Sequence, residues 1–131
     1  MNKTLIILIL LLNSCLSEKQ ITNTGVEEIH FGTGGGFTGV ETTYKLNRKG
    51  NIKDENNNIV YNMTKKDLTL VFEKAKKIKN TKINKPENLY FFLVIVSKSV
   101  KNRIVWGYET YDVPKKIKEL HEYLMKKTFK N

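Results

Sequence analysis

The sequence predicts an α+β domain, a two-layer sandwich in which two helices cover one face of a mostly antiparallel sheet. Three observations favour this fold class. Several short segments alternate apolar and polar residues, one apolar run has the length of a buried strand, and two segments repeat apolar residues at helical spacing. Their order along the chain is ββ(β)αββα, in which the third strand is the least regular.

The first half of the predicted domain consists of strands. "VEEIHF" (26–31) is a short strand that enters a glycine-rich segment, and "VETTYKLN" (40–47) alternates strictly, as a half-buried strand does. The turn "NRKG" (47–50) leads to a short third strand over 50–53. After a polar loop, "IVY" (59–61) could extend the sheet.

A helix is predicted over 65–79. Thr64 precedes Asp67 by three residues, which is a loose form of the capping box that begins helices. The apolar residues that follow have helical spacing and define one buried face: Leu68, Val71, Phe72, Ala75 and Ile78.

The second half of the chain completes both layers. "LYFFLVIV" (89–96) is continuously apolar and rich in aromatic and β-branched residues, which is typical of a buried central strand. "RIVWGYE" (103–109) returns the chain as a neighbouring strand, and Pro114 begins the second helix. The inner stripe of that helix consists of Val113, Ile117, Leu120 and Leu124.

The first fourteen residues have the layout of a secretory signal peptide. One lysine, Lys3, precedes an unbroken apolar run from Leu5 to Leu12. A helix of that length would reach only about 12 Å, whereas the hydrocarbon core of a bilayer is about 30 Å thick. We therefore expect a cleaved signal over 1–14 and no permanent transmembrane span.

"LNSC" (12–15) resembles the lipobox of bacterial lipoproteins, in which a leucine three residues before a cysteine and a small residue directly before it fit the lipoprotein signal peptidase. The resemblance implies cleavage after Ser14 and a lipid anchor on Cys15 in the bacterial cell envelope. Cys15 is the only cysteine and has no disulfide partner; the alternative is an ordinary signal peptide that leaves a free thiol. Leu16, in place of aspartate after the cysteine, predicts the outer membrane under the enteric sorting rule.

Residues 15–25 are predicted to form the lipidated cysteine and a flexible polar tether, so that 26–131 is a single α+β domain. The chain has 23 basic and 13 acidic residues and a net charge of +10. Either this charge attracts an anionic partner, or the lysines solvate the surface of a lysine-rich protein, which is the simpler interpretation. A lipid anchor in the envelope and the lack of RNP and helix-turn-helix patterns argue against nucleic acid as a partner.

Five of the eight glycines lie in the segment "FGTGGGFTG". Gly34, Gly36 and Gly39 match G-x-G-x-x-G, but a dinucleotide-binding fingerprint needs a helix directly after it, and an alternating strand follows here. The glycines could instead permit positive φ or a close backbone approach in a wide hairpin. The alternative is a recognition loop that presents Phe37 and Thr38 beside an aromatic surface.

"IHFGTGGGFTG" and "TYKLNRKG", together with a later "WG" and a C-terminal helix that begins at a proline, resemble a group of small uncharacterised bacterial lipoproteins with an F-G-x-G-G-G-F-T-G signature. The resemblance covers most of the mature chain. It implies a lipoprotein and supports the domain boundary, but it implies no activity and no substrate.

The sequence contains no recognisable catalytic or metal-binding pattern. His30 and His121 are far apart, are expected to be surface or half-buried side chains, and have no cysteine or carboxylate cluster spaced for zinc. There is no G-x-S-x-G motif, and the one thiol is predicted to be lipidated. We therefore expect no catalytic residues, no metal, no cofactor and no enzymatic activity.

Two functional hypotheses remain. The first is a lipid-anchored envelope module that binds a protein or peptide partner and is attached to the membrane through the lipid on Cys15. The second is a small-ligand carrier or enzyme with a pocket between the sheet and the helices. Under the first hypothesis, the predicted contact residues are Gly34, Gly35, Gly36, Phe37, Thr38, Trp106 and Tyr108.

Overall fold

In the computed structural model the predicted strands and helices follow one another in the predicted order, with one additional two-residue strand after the first long helix. The structure describes residues 20–98 and 100–129. The helices are α1 (Lys65–Ile78) and α2 (Lys115–Lys126), and residues 20–23 form a further helical turn. The strands are β1 (Val26–Gly35), β2 (Thr42–Asn47), β3 (Asn51–Lys53), β4 (Ile59–Asn62), β5 (Asn84–Lys85), β6 (Leu89–Ser97) and β7 (Lys101–Gly107).

The seven strands form one sheet in the order β4-β3-β2-β1-β6-β7-β5. All neighbouring pairs are antiparallel except β5 with β7, which is parallel. The central strand is β1, where Phe31 lies opposite Tyr44 of β2 on one side and Leu93 of β6 on the other. The predicted fold class, an α+β protein with a mostly antiparallel sheet, is confirmed.

Both helices pack on the same face of the sheet because each has one apolar stripe to bury. Phe31 is fully buried at the centre of this layer, and its ring stacks on that of Tyr44 with centroids 5.7 Å apart. Burying each large apolar side chain stabilises the fold by about 1.5–3 kcal/mol. The other large side chains with no exposed surface in this layer are Ile29, Leu46, Ile52, Phe72, Leu93, Ile104, Ile117 and Leu124.

The predicted ends of the helices agree closely with the structure. The Thr64 hydroxyl accepts a hydrogen bond from the Asp67 amide at 3.3 Å, as a capping residue does, and α1 ends at Ile78. Helix α2 begins directly after Pro114, which has no N–H to leave unpaired at a helix start.

The other face of the sheet has a smaller apolar cluster made by Phe92, Val94 and Val105. The guanidinium carbon of Arg103 lies 4.2 Å from the centre of the Phe92 ring, which is the geometry of a cation–π interaction. Arg103 therefore covers an aromatic ring on the side of the sheet that faces away from the helices.

The chain before β1 differs from the predicted tether in the part that the structure describes. Residues 20–23 are helical, and Ile21 is 5% exposed in the main core. The Thr24 hydroxyl donates to the Ile21 carbonyl oxygen at 2.6 Å and accepts from the Val26 amide at 3.1 Å. Burial of an apolar side chain together with these local hydrogen bonds fixes this segment against the domain.

Cys15 and the predicted signal peptide lie outside the described residues. Among the helices that are described, none has both the length and the apolar composition needed to cross a bilayer.

Candidate partner-binding site

The glycine segment divides between a strand and a turn. Gly34 and Gly35 belong to β1, opposite Tyr90 and Leu89 of β6. Gly35 and Gly36 have φ of +81° and +73°, and the Gly36 amide donates to the Asn88 carbonyl oxygen at 2.6 Å. The glycine-rich segment is thus partly central strand, and only its second half leaves the sheet.

Gly34 is required by the aromatic ring that lies over it. A Cβ at this position would overlap the phenol ring of Tyr90. The absence of a side chain also lets Glu41, just before β2, reach across β1: its carboxylate accepts from the Tyr90 hydroxyl at 2.8 Å and from Arg103 at 2.6 Å. A glycine in a strand opposite an aromatic residue is a known way of protecting an exposed backbone.

The Glu41 carboxyl is held in its ionised form by these contacts. Its partial burial acts to raise its pKa, but the hydrogen bonds from Arg103 and Tyr90 outweigh burial and lower the pKa below its usual value. The same hydrogen bond to Glu41 raises the pKa of Tyr90. The three side chains therefore connect the segment before β2 with β6 and β7.

The predicted contact residues do not all lie on one surface. Phe37 is fully exposed and Thr38 is exposed at the tip of the turn, and Tyr108 is 70% exposed after the end of β7. Trp106, by contrast, is only 3% exposed because it points from β7 toward the helices.

The turn and Tyr108 are nevertheless joined at the same end of the sheet. The Gly36 amide binds the carbonyl of residue 88, and the Tyr108 amide donates to the carbonyl of Leu89 at 3.0 Å. Four exposed apolar side chains lie in the segments that meet there. We call them the loop-end surface: Phe37, Val40, Leu89 and Tyr108.

Behind Tyr108 lies a pocket with aromatic walls, between the sheet and α2. It has a volume of about 220 Å³, and its lining includes Phe91, Trp106, Tyr108 and His121. The Phe91 ring centroid lies 6.2 Å from that of Tyr108 and 5.3 Å from that of His121. Trp106 meets His121 edge to face, with centroids 5.2 Å apart. Such arrangements are favourable beyond the area they bury.

His121 holds α2 against the central strand. Its Nε2 lies 2.8 Å from the carbonyl oxygen of Gly32, which can only accept, so Nε2 carries the proton. The side chain is 4% exposed, and this burial lowers its pKa, although the hydrogen bond to Gly32 and the charge of Glu122 act in the opposite direction. His121 is consequently neutral at physiological pH.

Two charged side chains of opposite sign complete the lining of the pocket, Lys118 and Glu122. Lys118 Nζ donates to the carbonyl oxygen of Thr110 at 2.9 Å, which ties α2 to the segment after β7. The charges at the pocket therefore offset each other.

The turn after β7 is fixed by Glu87. One carboxylate oxygen accepts from the Glu109 amide at 3.1 Å and the other from the Thr110 hydroxyl at 2.8 Å. The Glu87 side chain lies so close to Gly107 that a Cβ there would displace the carboxylate from these two hydrogen bonds. This turn sets the position of Tyr108 between the pocket and a second, more open groove of about 440 Å³ beside Leu89.

Sequence reasoning did not identify Phe91, Lys118, His121 or Glu122 as site residues. A signal for His121 existed, because it lies four residues after Ile117 and next to Leu120 on the apolar stripe of α2. It was expected at the surface or half-buried, and it is buried. Phe91 shares its strand with neighbours that are equally apolar, so no sequence pattern separates it from the ordinary core.

The pH dependence of stability should report the burial of His121. Because its pKa is lower in the folded chain, the unfolded chain binds more protons below about pH 6.5, and the free energy of unfolding should fall by up to about 1.4 kcal/mol per pH unit as the pH decreases through that range. Above about pH 6.5 the contribution is fully present. Urea unfolding from pH 7.5 to 5 checks this.

The controls for that experiment are two histidine variants. His121→Gln should flatten the slope below pH 6.5, whereas His30→Gln retains His121 and should keep it. An unchanged slope in His121→Gln would contradict the assignment.

In the described part of the chain, no group of three or more histidine, cysteine, aspartate or glutamate residues is arranged to hold a metal ion. His30 pairs with Glu28 at 2.7 Å in β1, separate from the pocket that contains His121.

Comparison with known proteins gave no relative from which a function could be transferred. No protein-family model matches the chain, and no curated protein and no solved structure matches it either. The geometry of the loop-end surface and the aromatic pocket is therefore the basis for a functional proposal.

Proposed function

We propose that this protein is a lipid-anchored lipoprotein of the bacterial cell envelope, placed in the outer membrane, whose domain is a non-enzymatic module that binds a protein or peptide partner. The anchor is proposed from the segment "LNSC", which resembles a lipobox. The binding role is proposed from the loop-end surface, where four exposed apolar side chains lie in adjoining segments and one of them, Tyr108, lines an aromatic pocket.

The observation that supports partner binding most directly is the arrangement of Tyr108. It is 70% exposed, it lines the pocket, and it lies at the junction between the pocket and the open groove beside Leu89. Aromatic residues that combine an exposed face with an adjacent pocket are frequent anchors in protein interfaces. A partner chain could follow the groove and place one side chain in the pocket.

The size of the pocket favours a side chain over a free metabolite. Its volume is about 220 Å³, whereas pockets for small molecules and cofactors are typically about 300–1,000 Å³. The small-ligand carrier or enzyme is thus the weaker candidate. A metabolite that raised the melting temperature in a saturable way would favour it.

Lipid anchoring predicts a loss of membrane attachment in Cys15→Ser. Two or three acyl chains hold a protein on a bilayer almost permanently, because each buried methylene contributes about 0.8 kcal/mol. We expect the wild type in the membrane fraction and Cys15→Ser released from it or retained as an uncleaved precursor. Labelling with an alkyne fatty acid should give a signal only for the wild type. Labelling of Cys15→Ser would contradict the assignment.

Crosslinking in intact cells tests the binding surface. The full-length protein with a C-terminal tag is compared with Phe37→Ala, Tyr108→Ala and Phe129→Ala, and captured proteins are identified by mass spectrometry. Phe129 is the matched control because it is 67% exposed and follows Lys127, which contacts Tyr61 on the opposite edge strand. We expect one envelope protein to be captured by the wild type and Phe129→Ala and to be lost in the other two. Equal capture by all four would exclude the loop-end surface.

A further inference from the structure

Two largely buried side chains that line the aromatic pocket, His121 and Trp106, each have a ring nitrogen for which no hydrogen bond is found among the described residues. Within residues 20–98 and 100–129, His121 makes one hydrogen bond, from Nε2 to the Gly32 carbonyl, and neither its Nδ1 nor the indole N–H of Trp106 makes one. Their side chains are 4% and 3% exposed. Among the described residues, no side-chain nitrogen or oxygen that is sealed from solvent lacks a partner, so both groups must be reached by solvent. Both residues line the pocket.

These two groups have complementary chemistry. Because Nε2 of His121 carries its proton, Nδ1 has a free lone pair and can only accept a hydrogen bond. The Trp106 indole nitrogen can only donate one. The pocket therefore offers one acceptor and one donor to an occupant, on two rings whose centroids are 5.2 Å apart.

The walls and the charges of the pocket restrict the occupant further. The rings of Phe91 and Tyr108 provide flat apolar faces, which favour a planar group. Lys118 and Glu122 carry opposite charges, so the pocket has no net charge with which to select a cation or an anion. A neutral, planar group that both donates and accepts fits this lining.

We propose that the pocket binds the side-chain carboxamide of a glutamine or asparagine residue of a partner protein. The carboxamide N–H donates to Nδ1 of His121, its oxygen accepts from the indole N–H of Trp106, and its plane packs against the aromatic walls. Satisfying buried polar groups gives specificity, because a side chain that lacks either function leaves one of them unpaired. This inference rests on the proposed binding of a partner at the loop-end surface.

The single tryptophan makes the contact directly measurable. The chain has one tryptophan, so a ¹⁵N-labelled sample gives one indole N–H signal in the NMR spectrum, and that signal belongs to the pocket. The probe is N-acetylglutamine N-methylamide. The comparison probes carry methionine, serine, glutamate or lysine side chains on the same backbone.

We expect a saturable downfield shift of the indole proton with the glutamine probe, at a concentration two- to tenfold lower than with the methionine probe, as one or two hydrogen bonds would give. Equal midpoints for glutamine and methionine would overturn the proposal, since the pocket would then be a purely apolar anchor. A preference for the serine, lysine or glutamate probe, or no saturable shift with any probe, would also overturn it.

Variants separate the hydrogen bond from the fold. His121→Gln keeps an N–H that can reach the Gly32 carbonyl but removes Nδ1, and it should weaken glutamine binding about two- to tenfold. Tyr108→Ala should also weaken it, whereas Tyr111→Ala, an exposed tyrosine outside the pocket lining, should not. Urea midpoints for each variant check that the fold is intact. Unchanged affinity in both His121→Gln and Tyr108→Ala would place the probe elsewhere and overturn the proposal.

The outcome is distinguishable from failure of the proposed function. If cellular capture depends on Phe37 and Tyr108 but no probe prefers the carboxamide, the binding module stands and the carboxamide assignment falls. If capture is independent of both residues, the proposed partner surface fails, whatever the probes show.

Discussion

Gly35→Ala is expected to lower the free energy of unfolding by about 2–4 kcal/mol, through two separate effects. Gly35 has a φ of +81°, which costs an L-residue about 1–2 kcal/mol. In addition, a Cβ at Gly35 would overlap the carbonyl oxygen of Asn88, a backbone atom that cannot rotate away. The loss is measured as the urea midpoint, followed by the fluorescence of Trp106.

Gly36→Ala is the matched control for this prediction. Its φ is +73°, but a Cβ there would meet no atom within 4 Å. It should therefore show the conformational cost alone, about 1–2 kcal/mol. If the two variants lose the same stability, the contact with Asn88 contributes nothing and the interpretation of Gly35 as a site of close approach is wrong.

Phe31→Ala should lower the free energy of unfolding by about 3–5 kcal/mol, because it removes a ring from the centre of the core. Phe31 has no exposed surface, lies on the central strand and stacks on Tyr44. Since domains of this size are stable by only about 5–15 kcal/mol, the variant would be partly unfolded or close to it at 37 °C. Chemical denaturation at 15 °C would measure the loss.

The control lies in the same glycine-rich segment. Phe37 is fully exposed at the tip of the turn, so Phe37→Ala should change stability by less than about 0.5 kcal/mol. A large loss in Phe37→Ala, or a loss below 1 kcal/mol in Phe31→Ala, would contradict the core described above. The pair also establishes that Phe37→Ala is a folded variant for the capture experiment.

Much of the fold could be predicted because the spacing of apolar residues and the helix-capping residues are visible in short stretches of sequence. α1 begins at Lys65 as predicted from Thr64, and β6 covers Leu89–Ser97 against a prediction of 89–96. The strand β5 (Asn84–Lys85) was not predicted. Both of its residues are exposed, and it pairs in parallel with Val105 and Trp106, so it has neither alternation nor a hairpin turn to indicate it.

Two other boundaries depended on contacts distant in sequence. β7 covers Lys101–Gly107 in place of the predicted 103–109. It begins earlier because the buried side chain of Asn102 donates to the Thr81 carbonyl and accepts from Lys82. It ends earlier because the chain turns after Gly107, next to Glu87. The sequence around Asn102 does not show that its side chain has hydrogen-bond partners about twenty residues away.

The extension of β1 to Gly35 has the same kind of cause. Glycine has a low propensity for β-strands, so the sequence predicted that this strand would end at residue 31, before the glycines. Tyr90 packs over Gly34 from the neighbouring strand and supplies the cover that a side chain would otherwise give. A packing role for the glycines is compatible with a recognition role for the loop. Gly34 and Gly35 pack within β1, whereas the turn that follows exposes Phe37.

The length of β1 has a consequence for how far from a bilayer the protein could act. Its ten residues run from Val26 to Gly35, which at about 3.3 Å per residue separates the two ends by roughly 30 Å. If the proposed lipid on Cys15 anchors the chain, the point of attachment precedes Val26 in the sequence, and the turn that carries Phe37 follows the other end of this strand. Contacts made by the exposed aromatic side chains at that end would then be separated from the anchored end of the domain by one strand length.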